Sequence, residues 1–194
     1  MDLKKAKEIL GEKFSFTAVD TNRVIQDLDL NKNSTILDVG TGIGSLAITL
    51  ALNGYRVTTG EPKSDNSEYA KQDWLSNSKK VRVDHLLEFK HFDAKDTQFE
   101  SNKFDAIFFL GSLHHIDKDT RVKVFQESAR IAKPSAIICF FEPNSNGMKV
   151  IMEMDPSHPE AADPSEYSQG LDLLLQKKAG EFFDAFIFKK ISST

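Results

Sequence analysis

Residues 35–52, TILDVGTGIGSLAITLAL, constrain this chain more than any other stretch. A β-rich apolar run, Thr35 to Val39, stops at the cluster Gly40-Thr41-Gly42-Ile43-Gly44. Ser45 to Leu52 then reads as a helix, and Asn53-Gly54 supplies a left-handed stop. Strand, glycine turn and helix open a βα unit in which missing Cβ atoms let the backbone bend tightly and approach a ligand. A glycine cluster by itself is equally the composition of an ordinary tight turn, so its meaning depends on its surroundings.

The rest of the chain repeats the alternation. Tyr55 to Thr59 is a second strand ending at Gly60-Glu61-Pro62, and a polar turn leads to a helix around Glu68 to Ser78. Glu88 to Asp93 is a short third strand. Phe104 to Leu110, apolar almost throughout, is a fourth, and a strand apolar on both faces is one covered by helices on both sides. Asp117 to Ala132 has helical spacing at Val122, Phe125, Ala129 and Ala132, with Asp119 or Thr120 as N-cap; Lys133-Pro134-Ser135 stops it, and Ala136 to Phe141 is a fifth strand. Residues 143–168 are rich in Pro, Asp and Glu and read as an excursion or lid. Gly170 to Ala179 reads as a helix and Phe182 to Phe188 as a last strand. Before the sheet, residues 1–30 carry two short helices that form a cap over the site or an outer layer. The expectation is one α/β domain over 1–194: a doubly wound, mostly parallel sheet with helices on both faces, an antiparallel C-terminal strand, and ligands at the carboxyl ends of the strands.

Three carboxylates give the glycine turn chemical content. Asp38, two residues before Gly40, would sit awkwardly beside a dinucleotide pyrophosphate but favours the ammonium and sulfonium of S-adenosylmethionine. Ser45 also stands where the dinucleotide fingerprint wants Gly or Ala, which disfavours a nicotinamide-dependent oxidoreductase. Glu61, at the end of the second strand, can accept both ribose hydroxyls; its other reading is a solvated loop residue. Asp93 can accept the exocyclic amine of adenine, with a turn or N-cap role as the rival reading.

On these residues the chain resembles the class I S-adenosylmethionine-dependent methyltransferase family. The matching segments are ILDVGTGIGSLAITLA, RVTTGEP, HFDAKD, FDAIFFLGSLHHI and ARIAKPSAIICFFEP, in order, over a core of residues 35–142. The resemblance implies the Rossmann-like methyltransferase fold, with cofactor binding at Asp38, Gly40, Thr41, Gly42, Gly44, Glu61, Asp93 and Ala94, and Leu110 and Gly111 lining the mouth. It also implies a terminal antiparallel hairpin, of which the sequence displays only EFFDAFIFKKI, within 170–191, unless Met148 to Met154 adds a strand out of order.

Methyl transfer needs alignment and desolvation, and a base is optional. If the acceptor is a hydroxyl or ammonium, His114 or His115, past the fourth strand, is the candidate base; the rival reading packs one of them on the cofactor or the following turn. Glu142 also faces the acceptor region, while His158 and Glu153 read as solvated. The fourth strand ends in Leu110-Gly111-Ser112-Leu113 rather than the Asn-Pro-Pro-Tyr type of the amino-methylating enzymes that act on DNA and protein. A net charge of −4 offers no basic footprint for nucleic acid, so a small-molecule acceptor is expected. The alternative is a noncatalytic cofactor-binding sensor or partner subunit, which fold resemblance does not distinguish.

The single cysteine, Cys139, lies in an apolar strand and can make neither an internal disulfide nor a Cys-rich zinc site, which fits a reducing, cytoplasmic compartment. No metal site is visible in the sequence. The amphipathic N-terminus MDLKKAKEILGEKF lacks a signal-peptide core, and no stretch approaches a membrane span.

Overall fold

The computed structural model describes residues 1–65 and 72–191. Seven strands form one sheet: β1 (Ile36–Val39), β2 (Val57–Glu61), β3 (Leu87–His91), β4 (Phe104–Leu110), β5 (Ala132–Pro143), β6 (Leu173–Lys178) and β7 (Phe183–Lys190). Their spatial order is β3-β2-β1-β4-β5-β7-β6. The first five run parallel; β7 lies antiparallel between β5 and β6. The order reverses between β1 and β4, the switch point beside which such sheets leave a ligand crevice.

The expected two-sided burial follows from the two-residue period of a strand. Ile107 and Phe109 of β4, Ile138 and Phe140 of β5, and Phe186 and Phe188 of β7 share one core with Val124, Phe125 and Ile131 of helix α5 (Arg121–Ile131). The alternate residues, Ala106 and Phe108, Cys139 and Phe141, Ala185 and Ile187, turn the other way. They meet Val24 and Ile25 of α2 (Glu12–Asp27) and Leu46, Ala47 and Leu50 of α3 (Ser45–Leu52). Phenylalanines fill the first layer, with Phe109 stacked on Phe140 at 4.2 Å and Phe140 on Phe125 at 4.6 Å.

The N-terminal helices form an outer layer. Ala6 of α1 (Leu3–Leu10), with Phe14 and Ala18 of α2, packs on Ile48 and Ala51 of α3. Asp20, buried in α2, ties this layer to the C-terminal hairpin: its carboxylate accepts from the amides of Glu181, Phe182 and Phe183 at 2.8, 2.8 and 3.0 Å.

The C-terminal third departs from the sequence reading. Residues 173–178 are strand β6, not helix, and with β7 they complete the family's antiparallel hairpin. Leu, Gln and Lys favour a helix in isolation, but six residues in register with β7 outweigh that weak preference. Met148 to Met154 is no strand; it belongs to helix α6 (Ser145–Met154), capped by the Asn144 side chain, which accepts from the amides of Asn146 and Gly147. Gly147 lies inside this helix, where a Cβ would come 2.1 Å from the Phe182 carbonyl oxygen. The expected second-unit helix is observed as α4 (Trp74–Lys80), and its predicted start at Glu68 lies outside the described residues. Among the described residues no helix is long and apolar enough to cross a membrane.

Candidate active site

β1 delivers Asp38 and then the glycine turn. Gly40, Gly42 and Gly44 all adopt positive φ (91°, 50° and 85°), where a Cβ is strained. A Cβ at Gly40 would press on Ser112 at 3.1 Å and one at Gly44 on Trp74 at 3.1 Å, whereas Gly42, at the apex, faces open space. The turn is therefore tight at both shoulders and bare at the top, a shape suited to close backbone approach.

Beneath it runs a short polar chain: the Thr41 hydroxyl meets that of Thr59 at 2.8 Å, and Thr59 donates to Asp38 Oδ2 at 2.8 Å. Asp38 is fully buried and its Oδ1 has no partner. Burial pushes its carboxyl up to about 8, with the nearby Glu61 charge adding to the shift and the Thr59 hydrogen bond opposing it. A cation beside Asp38 would reverse that shift. Ser45 Oγ, just past the turn, is also buried without a partner.

Glu61 is buried rather than solvated, and its Oε1 accepts from the Gly42 amide at 2.6 Å. Its pKa is raised by burial and by Asp65, against the lowering effect of the Gly42 and Thr41 amides. The acid from β2 thus folds onto the glycine turn from β1. Asp93 follows β3 and takes the turn role: its Oδ1 accepts from the Lys95 amide at 2.9 Å and its Oδ2 lies 3.6 Å from Lys95 Nζ. Ala94, half-buried, packs against the α5-side core. The Phe92 amide bonds the Glu61 carbonyl at 3.2 Å, which keeps this loop beside β2.

Leu110 and Gly111 end β4, and the Gly111 amide is pinned on the Phe141 carbonyl at 2.8 Å. Ser112 then donates to the Val39 carbonyl at 3.2 Å, so the β4 loop leans on the β1 loop. The 3-10 turn Leu113–His115 follows. Arg121 clamps it by donating to the carbonyls of His114 and Ile116 at 3.2 and 2.9 Å and to the Tyr167 hydroxyl at 3.0 Å. His114 is buried, with Nδ1 on Glu142 Oε2 at 2.6 Å and Nε2 without a partner. A Cβ at Gly111 would lie 3.7 Å from His114 Cε1, which puts this imidazole against the mouth-lining loop.

Glu142, also buried, is held by the amides of Leu113 and Ala162, both at 3.3 Å. Residues 155–168 thus fold back over the ends of β4 and β5, anchored by Ala162 and Tyr167 in the core. His158 comes with them. It is 9% exposed rather than solvated, with Nδ1 on the Pro159 carbonyl at 2.9 Å. The rings of His114, His115 and His158 meet with centroids 4.4, 5.0 and 5.0 Å apart. His115, whose outer edge meets solvent, is pushed down to about 4 by desolvation and by the charges His114 and His158 would carry.

The residues expected at the cofactor, together with His114, thus lie at the carboxyl ends of β1 to β4, whereas Ser112, Arg121, Ala162 and the arrival of His158 were not anticipated. Ser112 and Ala162 carry no local signal because their contacts span 73 and 20 residues, while Arg121 closes on carbonyls five and seven residues before it.

A methyltransferase domain family matches residues 37–140, more than half the chain. A 27-O-demethylrifamycin SV methyltransferase of Amycolatopsis mediterranei is 30% identical over 114 residues, covering 59% of this chain and 40% of that protein. A phosphoethanolamine N-methyltransferase of Plasmodium falciparum is 25% identical over 118 residues, covering 61% and 42%. The chain thus spans about two fifths of these curated relatives. Among solved structures, a SAM-dependent methyltransferase from Aquifex aeolicus superposes with a TM-score of 0.67 at 18% identity, covering 98% of this chain and all of that one, a likeness of fold. The chain belongs to the methyltransferase domain family, the Rossmann-like S-adenosylmethionine-dependent methyltransferases.

Proposed function

We propose that this protein is an S-adenosylmethionine-dependent methyltransferase whose acceptor is a small molecule, bound between the glycine turn and the imidazoles after β4. One observation carries the reading. Among the described residues, the buried side-chain polar atoms left without a partner are Asp38 Oδ1, Ser45 Oγ and His114 Nε2, all at the carboxyl end of β1 and β4 or the start of α3. Buried polar atoms are otherwise satisfied, and an unsatisfied group asks for a ligand. Two of these flank the cofactor turn and the third sits on the acceptor side.

The cofactor supplies a methyl group already activated on a sulfonium. The chain's own residues do the rest. Asp38 favours the cationic end, Glu61 takes the ribose hydroxyls in exchange for the Gly42 amide, and the bare apex at Gly42 admits the ligand to backbone distance. Thr41 and Gly40 shape the turn; Asp93, Ala94, Leu110 and Gly111 border the adenine and methyl ends. Residues 155–168 help exclude water from the reacting centre. His114, fixed by Glu142 and Arg121, presents Nε2 to receive a proton from a hydroxyl or ammonium acceptor.

Relatives named for phosphoethanolamine, a rifamycin and sterols, the absence of a basic net charge, and the Leu110-Gly111-Ser112-Leu113 ending all favour a small acceptor. The test is S-adenosylhomocysteine formation with panels of small alcohols, phenols, amines and thiols, beside peptide and oligonucleotide controls. Turnover confined to small acceptors is expected. Turnover confined to the polymers, or cofactor binding without turnover in any arm, would contradict the proposal.

A further inference from the structure

His114, His115 and His158 each offer a ring nitrogen, and these nitrogens all lie within 4.8 Å of one another. We propose that the three imidazoles bind one divalent transition-metal ion of the zinc type, with Glu142 as the carboxylate that orients His114, and that the open fourth position takes an oxygen donor of the acceptor. The site is an inference from the geometry alone; the role given to its fourth position rests on the function proposed above and replaces one part of it, since a His114 Nε2 that ligates the ion no longer takes the acceptor's proton, which the metal-bound oxygen instead gives up to solvent.

Four features support it. First, the donor set is all imidazole, which suits zinc, cobalt, nickel or copper and not the oxygen-seeking magnesium or calcium. Three protein ligands with a vacant fourth position is the arrangement of catalytic rather than structural zinc. Second, His114 Nε2 is buried and has no partner, while Nδ1 is engaged with Glu142 at 2.6 Å. A ligating histidine characteristically gives its other nitrogen to a carboxylate, which fixes ring and tautomer. Third, His158 repeats the pattern with a backbone carbonyl, Nδ1 lying 2.9 Å from Pro159 O. Both inner rings therefore keep Nε2 for another partner.

Fourth, the support is unusually rigid for a loop site. Glu142 is itself held by the amides of Leu113 and Ala162, and Arg121 holds the carbonyl of His114. Tetrahedral coordination at zinc–nitrogen bonds of ~2.0–2.1 Å wants nitrogens about 3.4 Å apart, closer than the 4.8 Å bound. Binding would draw the His115 and His158 nitrogens toward His114, which Glu142 and Arg121 hold in place.

The test begins with full-length protein freed of metal by a chelator. Zn(II) is titrated in competition with a chromogenic chelator, and Co(II) is followed by its visible absorption. One ion per chain is expected, with a Co(II) spectrum of low coordination number. His115→Ala, at an exposed ring, and His158→Ala should each weaken Zn(II) binding at least tenfold, and Glu142→Gln by about 10–100-fold through loss of the orienting carboxylate. Zn(II) should raise the thermal midpoint of the parent and not of the His115→Ala protein. No stoichiometric binding, or equal affinity in parent and both histidine variants, would overturn the site.

Titrating S-adenosylmethionine into the same samples separates the two claims. Cofactor binding without Zn(II) binding overturns the metal site alone. Zn(II) binding without cofactor binding overturns the function and leaves the site supported.

Discussion

The glycine-turn half of the site and the imidazole half use the chain in different ways. Asp38, the three glycines, Ser45 and Glu61 fall within 24 consecutive positions on two adjacent strands, so one βα unit and the strand after it assemble them. The imidazole half draws on β4, β5 and the segment after α6, joining His114 to Glu142 and Glu142 to Ala162. The first half depends on backbone shape and a buried carboxylate; the second depends on side chains held by other side chains. Substitutions in the two halves should therefore fail differently, one in cofactor affinity and the other in turnover.

The largest effect is expected at Gly42. Its φ of 50° and open surroundings mean that Gly42→Val adds both strain and bulk at the apex. Calorimetric cofactor binding should be lost altogether, while thermal unfolding stays cooperative with a cost of about 1–2 kcal/mol. Unchanged affinity would break the comparison at its root.

Next is His114→Asn, which should lower kcat by roughly 100-fold or more in a steady-state assay, within the range of a lost proton acceptor. Cofactor Kd should stay within about threefold of the parent, a shift of under 1 kcal/mol. A variant that instead lost cofactor affinity would place His114 in the other half.

Glu61→Gln comes third. It keeps the shape but removes the charge from the ribose contacts, so cofactor binding should weaken by about 10–100-fold, the worth of charge-assisted hydrogen bonds. Equal affinity by calorimetry would mean that Glu61 serves only to brace the Gly42 amide.

Smallest per step, and most diagnostic, is the effect of pH. Asp38 holds its proton to about pH 8 in the fold but releases it near 3.8 in a model peptide. Between these values the folded protein carries the extra proton, so this group makes stability fall as pH rises. A cationic ligand needs the ionised form, so cofactor affinity should climb by up to about tenfold per pH unit toward pH 8 and then level. In Asp38→Asn both trends should flatten, and a parent protein with no such slope would refute the ionic role.

How much was legible follows the same division. The strand, turn and helix at 35–52 and the acid at Glu61 are local patterns with a fixed backbone consequence, and they stand where the sequence put them. Helix α5 follows from periodicity and strands β4 and β5 from apolar runs, but α5 begins only at Arg121 and β5 already at Ala132, through the expected stop Lys133-Pro134-Ser135. The reading failed where partners outvote local preference. Leu173 to Lys178 becomes a strand because β7 offers a register, and Met148 to Met154 belongs to a helix rather than an added strand, with Gly147 inside it because Phe182 leaves no room for a Cβ. His158 looked solvated because nothing nearby in the sequence announces that Ala162 and Tyr167 fold that segment back onto Glu142 and the core.

The central claim is that the Asp38–Glu61 half is a cofactor site, and titration calorimetry of the full-length protein tests it most directly. S-Adenosylmethionine and S-adenosylhomocysteine should each bind with a stoichiometry near one, and NADH should give no heat beyond dilution. Absence of binding by both adenosyl ligands, or saturable binding of NADH in their place, would contradict the account.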